Sequence, residues 1–224
     1  MRKELVFFYF LLVGLDLIFE FFNLNTSLLF IKNSIPLFLI FAFFQIHNFS
    51  IEKEEYLIVA AFVFLLIGLN FSYFCYTETY YLPVLTIIYF FEIQIQLYQV
   101  LKKLKKVNTR ETKTYTKTFL IISLGLFFII VFFPLFSFPV QVLFFIRVFQ
   151  FAYYITLVFG NKKVDSQISW SLWLIILSNV LLLVDLAIFD YKMEYAIIML
   201  PFYASKFFYL NGYLRMKEKI IQKM

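Results

Sequence analysis

The sequence predicts an all-α polytopic membrane protein: a bundle of eight transmembrane helices, with N- and C-termini cytoplasmic. Three observations carry that expectation. Of the 224 residues, 63% are hydrophobic and 15% charged, with a mean hydropathy of +0.86. Soluble domains run nearer about 45–50% and about 25%, and a chain of this length has too little interior to hide so much Phe, Ile and Leu. A soluble enzyme and a disordered chain are both excluded. Secondly, the apolar residues fall into eight runs of the length that a hydrocarbon core of about 30 Å requires. Thirdly, Lys and Arg cluster between alternate runs.

The first run, Leu5–Phe22, has no small-residue cleavage site and reads as a span, not a removed signal peptide. Its Asp16 and Glu20 stand one helical turn apart on one face. The second, Leu28–Ile46, places Lys32 just inside its outer boundary, followed by Asn33 and Pro36. The third, Tyr56–Phe74, holds Gly68, Asn70 and Ser72. In the fourth, Tyr80–Leu101, Pro83 suits a first turn, and Glu92 lies near the middle with Gln96 and Gln99 continuing its face. The fifth, Thr118–Pro134, has no charge in its body and is expected to face lipid. The sixth, Pro139–Phe159, carries Arg147, Gln150 and Tyr154 on one stripe. The seventh, Trp170–Phe189, sets Asp185 in its outer part with Ser178 two turns deeper. In the eighth, Tyr195–Leu214, Lys206 is central, near Tyr203 and Tyr209, and Pro201 lies inside the run. None of the runs alternates in polarity, so helices are expected and not barrel strands.

With the N-terminus in the cytoplasm, sixteen of the twenty Lys and Arg fall on the cytoplasmic side. They are Arg2, Lys3, Lys53, seven between Lys102 and Lys117, Lys162, Lys163 and four in the tail from Arg215. The opposite side holds Lys192. Such an imbalance fixes orientation. It also accounts for the net charge of +6 without nucleic acid. The expected setting is a multi-pass plasma membrane, a bacterial inner membrane, with residues 1–224 as one integral domain. Cys75 and His47 are the only residues of their kinds. No intramolecular disulfide and no Cys or His metal cluster is therefore expected, and no cofactor. Membrane lipids are the expected partners; the sequence points to no protein partner.

A charge near mid-bilayer costs several kcal/mol. Asp16, Glu20, Lys32, Glu92, Arg147, Asp185 and Lys206 come from six spans and lie from the midplane outward. They predict one polar cavity, with Asn70 a weaker member, and a close Asp185–Lys206 approach because a short loop joins their spans. Structural ion pairs that fix helix packing are the plain alternative, with Lys32 and Glu20 snorkelling to the interface. A charged cavity suits a lipid-binding protein, a small-solute transporter or an enzyme. A retinal protein with Lys206 as its Schiff-base lysine is disfavoured by eight spans and a cytoplasmic N-terminus.

The segment LLVGLDLIFEFFNLNTSLLFIKNSIPLFLI, the IGLNFSY stretch, SNVLLLVDLAIFD and YASKFFYLNGYLR together resemble the YhhN (lysoplasmalogenase-like) family of eight-span membrane proteins. Glu20 and Lys32 fall where that family has an acidic first helix and a Lys-Pro helix start, with the proline delayed to Pro36. Gly68 matches a Gly-Asp pair whose Asp is replaced by Leu69. Asp185 matches a Ser-Asp pair with Val184 in place of the Ser, and Gly212 matches a terminal Gly. The resemblance implies hydrolysis of the vinyl-ether bond of a lysophospholipid to a fatty aldehyde and a glycerophospho-headgroup, with no metal. It implies Asp185 and Glu20 as the acid–base pair, and Lys32 and Arg147 as phosphate holders. Asp16, Lys206, Glu92 and Asn70 complete the substrate site in that reading. The missing Asp at Leu69 leaves a non-catalytic lipid-binding protein or small-solute transporter as the alternative.

Overall fold

The computed structural model describes residues 3–22, 25–47, 52–75, 80–103, 138–159, 164–188 and 194–221. Within them lie α1 (Lys3–Phe21), α2 (Asn25–Ile46), a 3-10 turn (Lys53–Glu55), α3 (Tyr56–Cys75), α4 (Tyr81–Lys103), α5 (Phe138–Phe159), α6 (Ser166–Ile188) and α7 (Glu194–Ile221). The expected fifth span and most of the basic loop before it lie outside the described residues.

The all-α class holds, but the eight-span bundle does not. Among the described residues, three helices are long and apolar enough to cross a membrane: Leu29–Ile46, Tyr56–Cys75 and Pro83–Lys102. α5 and α6 offer only shorter apolar stretches, Phe145–Val158 and Ser166–Leu182. The physical reason lies in the charges that made the first and last spans interesting. Glu4, Asp16 and Glu20 interrupt α1, while Lys206, Asn211 and the tyrosines lower the hydropathy of α7. By themselves those two helices are not among the ones long and apolar enough to cross a membrane. The chain is a multi-pass membrane protein in which three apolar helices accompany more polar ones packed against them. Its outer surface carries exposed Phe7, Phe30, Phe74 and Trp170, an apolar coat suited to lipid contact.

Each described helix packs on the next from α1 to α7; short connections dictate this except between α4 and α5, which residues 104–137 separate in sequence. α7 then returns against α1, α2 and α4. It is the central helix: Phe202, Tyr203, Phe207, Tyr209, Leu210, Tyr213 and Leu214 are all buried. α1 offers Leu5, Tyr9, Val13 and Asp16 to this core; α3 offers Ile58, Phe62, Leu65 and Leu69. Both sets recur every three to four residues, the signature of one helical face. Gly212 lets α7 meet α6 closely, since a Cβ there would sit 2.9 Å from the Ile168 backbone nitrogen. Asp165 starts α6 by accepting the Gln167 N–H on its side chain at 3.1 Å. Pro36 and Pro201 both lie inside continuous helices.

At one end of the bundle a charged latch ties the tail of α7 to the turn before α3. Lys217 Nζ lies 2.7 Å from Glu55 Oε1 and 3.5 Å from Glu52 Oε1. His47 Nε2, on the residue following α2, is 3.6 Å from the same Glu55 oxygen. The Glu52 N–H donates to Glu55 Oε2 at 3.4 Å. Burial alone would raise the Glu55 carboxyl, but the hydrogen bond and charge of Lys217, with His47 and the Glu52 N–H, outweigh it. The carboxyl is held below its usual value. A depressed carboxylate contributes stability above its unfolded pKa and loses it as pH falls through the folded one. The latch is therefore intact at neutral pH and is lost in acid, as the pH falls through the lowered value of the Glu55 carboxyl. Lys217→Met should lower stability at pH 7 by about 1–3 kcal/mol and flatten the acid loss, as read by thermal unfolding in mild detergent. Identical pH profiles for the variant and the wild type would refute the latch.

Candidate functional site

Two charged groups and one cavity make the site. The first group joins α1, α2 and α7. Lys32 Nζ pairs with Glu20 Oε2 at 2.9 Å and lies 4.5 Å from the centre of the Tyr195 ring. Tyr195 and Tyr203 both donate to Asp16 Oδ2, at 2.8 and 3.1 Å. Asp16 is fully buried, and its Oδ1 has no hydrogen-bond partner among the described residues. Tyr9 donates to the Tyr203 carbonyl at 2.7 Å and so holds α7 against α1. These residues meet because Asp16 continues the buried face of α1 while Glu20 reaches its edge, where its side chain is 31% exposed.

The second group joins α4, α5 and α7. Lys206 Nζ lies 2.7 Å from Glu92 Oε1, and Gln96 donates to the same oxygen at 2.8 Å. Both members of the pair are fully buried. Glu92 Oε2 has no partner among the described residues. Arg147 donates to Gln150 Oε1 at 3.0 Å, stacks over Phe151 at 4.9 Å, and interacts electrostatically with Glu92. Gln150 in turn donates to the Phe90 carbonyl at 2.8 Å and to Gln94 Oε1 at 3.2 Å, which anchors α5 on α4.

A cavity of about 490 Å³ runs between the groups, within the range of small-molecule sites. Glu20 and Tyr195 line one part of it; Glu92, Arg147 and Lys206 line another. Apolar side chains, Leu17, Leu85, Ile175 and Met199 among them, form the larger part of its wall, interspersed with Ser72, Thr86, Ser178 and Asn179. Leu69 stands in this wall as well.

The expected polar cavity thus receives four of the named charges: Glu20, Glu92, Arg147 and Lys206. Asp16 and Lys32 stand behind it, linked to it through Tyr195. Asn70 does not line it. Its amide exchanges hydrogen bonds with Asn33 at 2.7 and 3.3 Å, a clamp between α2 and α3. Lys206 does not pair with Asp185 but with Glu92. The reason is register. Ser178 donates to the Ile198 carbonyl at 2.8 Å, and from there Asp185 and Lys206 run in opposite directions along antiparallel helices. At about 1.5 Å per residue they are separated by about 20 Å along the axes. The α6 backbone at Asp185 belongs instead to the end of the bundle that holds Tyr195; its side chain lies outside the described set. Sequence reasoning missed Tyr195 as a functional group. The available signal was its eight-residue spacing from Tyr203, about two helical turns on nearly the same side of the helix; their hydroxyls meet at 3.4 Å. His47, Glu55 and Lys217 were also missed as a set, because only the fold brings them together.

Compared with known protein families, curated proteins and solved structures, the chain matches none. Among the described residues, no three His, Cys, Asp or Glu side chains converge as a metal site.

The buried pair generates a clear expectation. Glu92→Met or Lys206→Met alone strands a buried charge and should cost about 3–5 kcal/mol. The double variant should recover most of that loss, because two methionines fill the space without a charge. Denaturant unfolding in mild detergent gives the cycle, and strictly additive losses would contradict it.

Proposed function

We propose that the cavity binds a single-chain anionic amphiphile of the lysophospholipid class and that the protein is a lysoplasmalogenase-like hydrolase. One observation carries the reading: a largely apolar cavity is lined by both Glu20 and Arg147. Apolar walls suit a hydrocarbon chain, and Arg147 suits a phosphate, which a guanidinium grips with two parallel hydrogen bonds. Hydrolysis requires a proton for the vinyl carbon remote from oxygen, then water on the carbon bonded to oxygen. The resulting hemiacetal collapses to a fatty aldehyde and the free glycerol hydroxyl. Glu20 and Asp185 are the residues proposed for proton donation and water activation. The resemblance to the YhhN family in the first, third, seventh and eighth expected spans supports this choice.

A second reading, a lipid-binding protein without chemistry, draws on two observations. Glu20 and Glu92 each carry a lysine partner, and Leu69 occupies the wall where the family resemblance calls for an acid.

Aldehyde release from a lysoplasmalogen by the purified protein in mild detergent separates the two. Glu20→Gln and Asp185→Asn should each lower turnover by about 10²-fold or more while lysolipid binding persists. Leu69→Asp should raise it. Lysolipid bound but left intact by both the wild type and Leu69→Asp would decide for the second reading.

A further inference from the structure

We infer that Asp16 and Glu20 share one proton at neutral pH, with Lys32 as their common counter-ion, and that this buried pair is the store from which Glu20 donates. The proton site stands on its own geometry; its use in turnover rests on the hydrolase reading above.

The inference starts from a charge count. α1 brings two carboxyls to this place, Asp16 and Glu20, and α2 brings one ammonium, Lys32. α7 adds the phenols Tyr195 and Tyr203, and Tyr73 of α3 sets a ring 5.8 Å from Lys32 Nζ. Phenols are neutral at pH 7. Among the described residues, two acids therefore face a single cation. The acids stand one helical turn apart, and Asp16 interacts electrostatically with both Glu20 and Lys32. Two neighbouring carboxyls served by one cation in a low dielectric do not both ionise; one keeps its proton. That proton belongs to the pair.

The contacts show where it rests. Glu20 is partly exposed, and its Oε2 lies 2.9 Å from the Lys32 ammonium, so Glu20 is the ionised member. Asp16 is fully buried, and its hydrogen-bond partners are two phenols, not a cation. Both phenols donate to Oδ2, and Oδ1 has no partner among the described residues. A neutral acid has this pattern: Oδ2 is the carbonyl oxygen, with a lone pair for each phenol, and Oδ1 carries the hydrogen. A buried hydroxyl without an acceptor is far less costly than a buried anion with one oxygen bare. Glu92 also has one oxygen without a partner, but its other oxygen touches Lys206 at 2.7 Å, which keeps it ionised.

Glu20 lines the cavity, whereas Asp16 stands behind it. In turnover Glu20 gives the shared proton to the vinyl carbon remote from oxygen, and Asp16 takes over the negative charge beside Lys32. The water that adds to the carbon bonded to oxygen releases one proton, which restores the pair. Asp16 never touches substrate; it is a positioning residue that keeps a proton available to Glu20.

Infrared spectroscopy of the full-length protein, in a detergent without carbonyl groups, tests the shared proton. At pH 7 the wild type should show the C=O stretch of a protonated carboxyl, shifted in heavy water. Asp16→Asn and Glu20→Gln should each abolish it, because the acid that remains has Lys32 to itself and ionises. Lys32→Met should raise it about twofold, as both acids then hold protons. No such band in the wild type, or a band that survives both carboxyl substitutions, would overturn the proposal. If Asp16→Asn fails to fold, the wild type and Glu20→Gln, at the partly exposed position, still decide. In the aldehyde assay Asp16→Asn should lower turnover at pH 7 by about tenfold or more and regain it as the pH is lowered and Glu20 takes up a proton. A loss that is the same at every pH would make Asp16 merely structural and overturn its role. A wild type that shows the band but releases no aldehyde would uphold the proton site and remove the hydrolase reading.

Discussion

The desolvation of Lys206 is the constraint on which the rest of this structure depends. A buried ammonium on the central helix must find a carboxylate or the helix cannot be buried. Glu92 on α4 meets that demand at 2.7 Å. Breaking such a pair is far more costly than replacing it whole, so what it enforces is register. Only one axial placement of α7 against α4 brings the two groups together. Gln96 reinforces that placement by donating to Glu92, and Tyr209 does so by donating to the Gln96 carbonyl at 3.4 Å.

The same logic repeats along α7. Tyr195, Lys206 and Lys217 are eleven residues apart, which is about three helical turns, so they fall close to one line along the helix. Tyr195 donates to Asp16 of α1, Lys206 pairs with α4, and Lys217 pairs with Glu55 before α3. Each polar anchor reaches a different neighbour. A helix that is mostly buried is therefore pinned at three heights by directional contacts, while its aromatic residues fill the space between them. Tyr9 stacks on Phe207 with ring centres 5.5 Å apart, and Tyr89 meets Phe202 edge-on at 5.3 Å.

The cavity is a consequence of this arrangement. α7 is held by charges on either side of the space that Leu69, Leu85 and Met199 only partly fill. The α3 backbone comes close there because Gly68 has no Cβ; one built on it would lie 2.6 Å from the Tyr89 ring. Tyr89 therefore packs over Gly68 and forms part of the cavity wall. Apolar walls with charges set into them are what a ligand with both a hydrocarbon part and an ionic part requires.

Much was legible in the sequence by itself. Composition excluded a soluble protein, the length of the apolar runs marked the helical segments, and the cost of intramembrane charge singled out Glu20, Glu92, Arg147 and Lys206 as cavity residues. These are local or compositional properties, written in each segment without reference to its neighbours. The eight expected spans become three helices long and apolar enough to cross a membrane among the described residues, and part of the difference is that charges read as functional, Asp16 and Glu20 in α1 and Lys206 in α7, also make those helices more polar. Which charge meets which was decided by tertiary structure alone. Proximity along the chain suggested Asp185 for Lys206, but antiparallel packing carries the two about 20 Å apart, and α4 delivers Glu92 in its place. Tyr195 and the His47–Glu55–Lys217 latch were invisible for the same reason. Each is an ordinary interfacial residue in its own segment, and only the axial register of α7 gives it a partner.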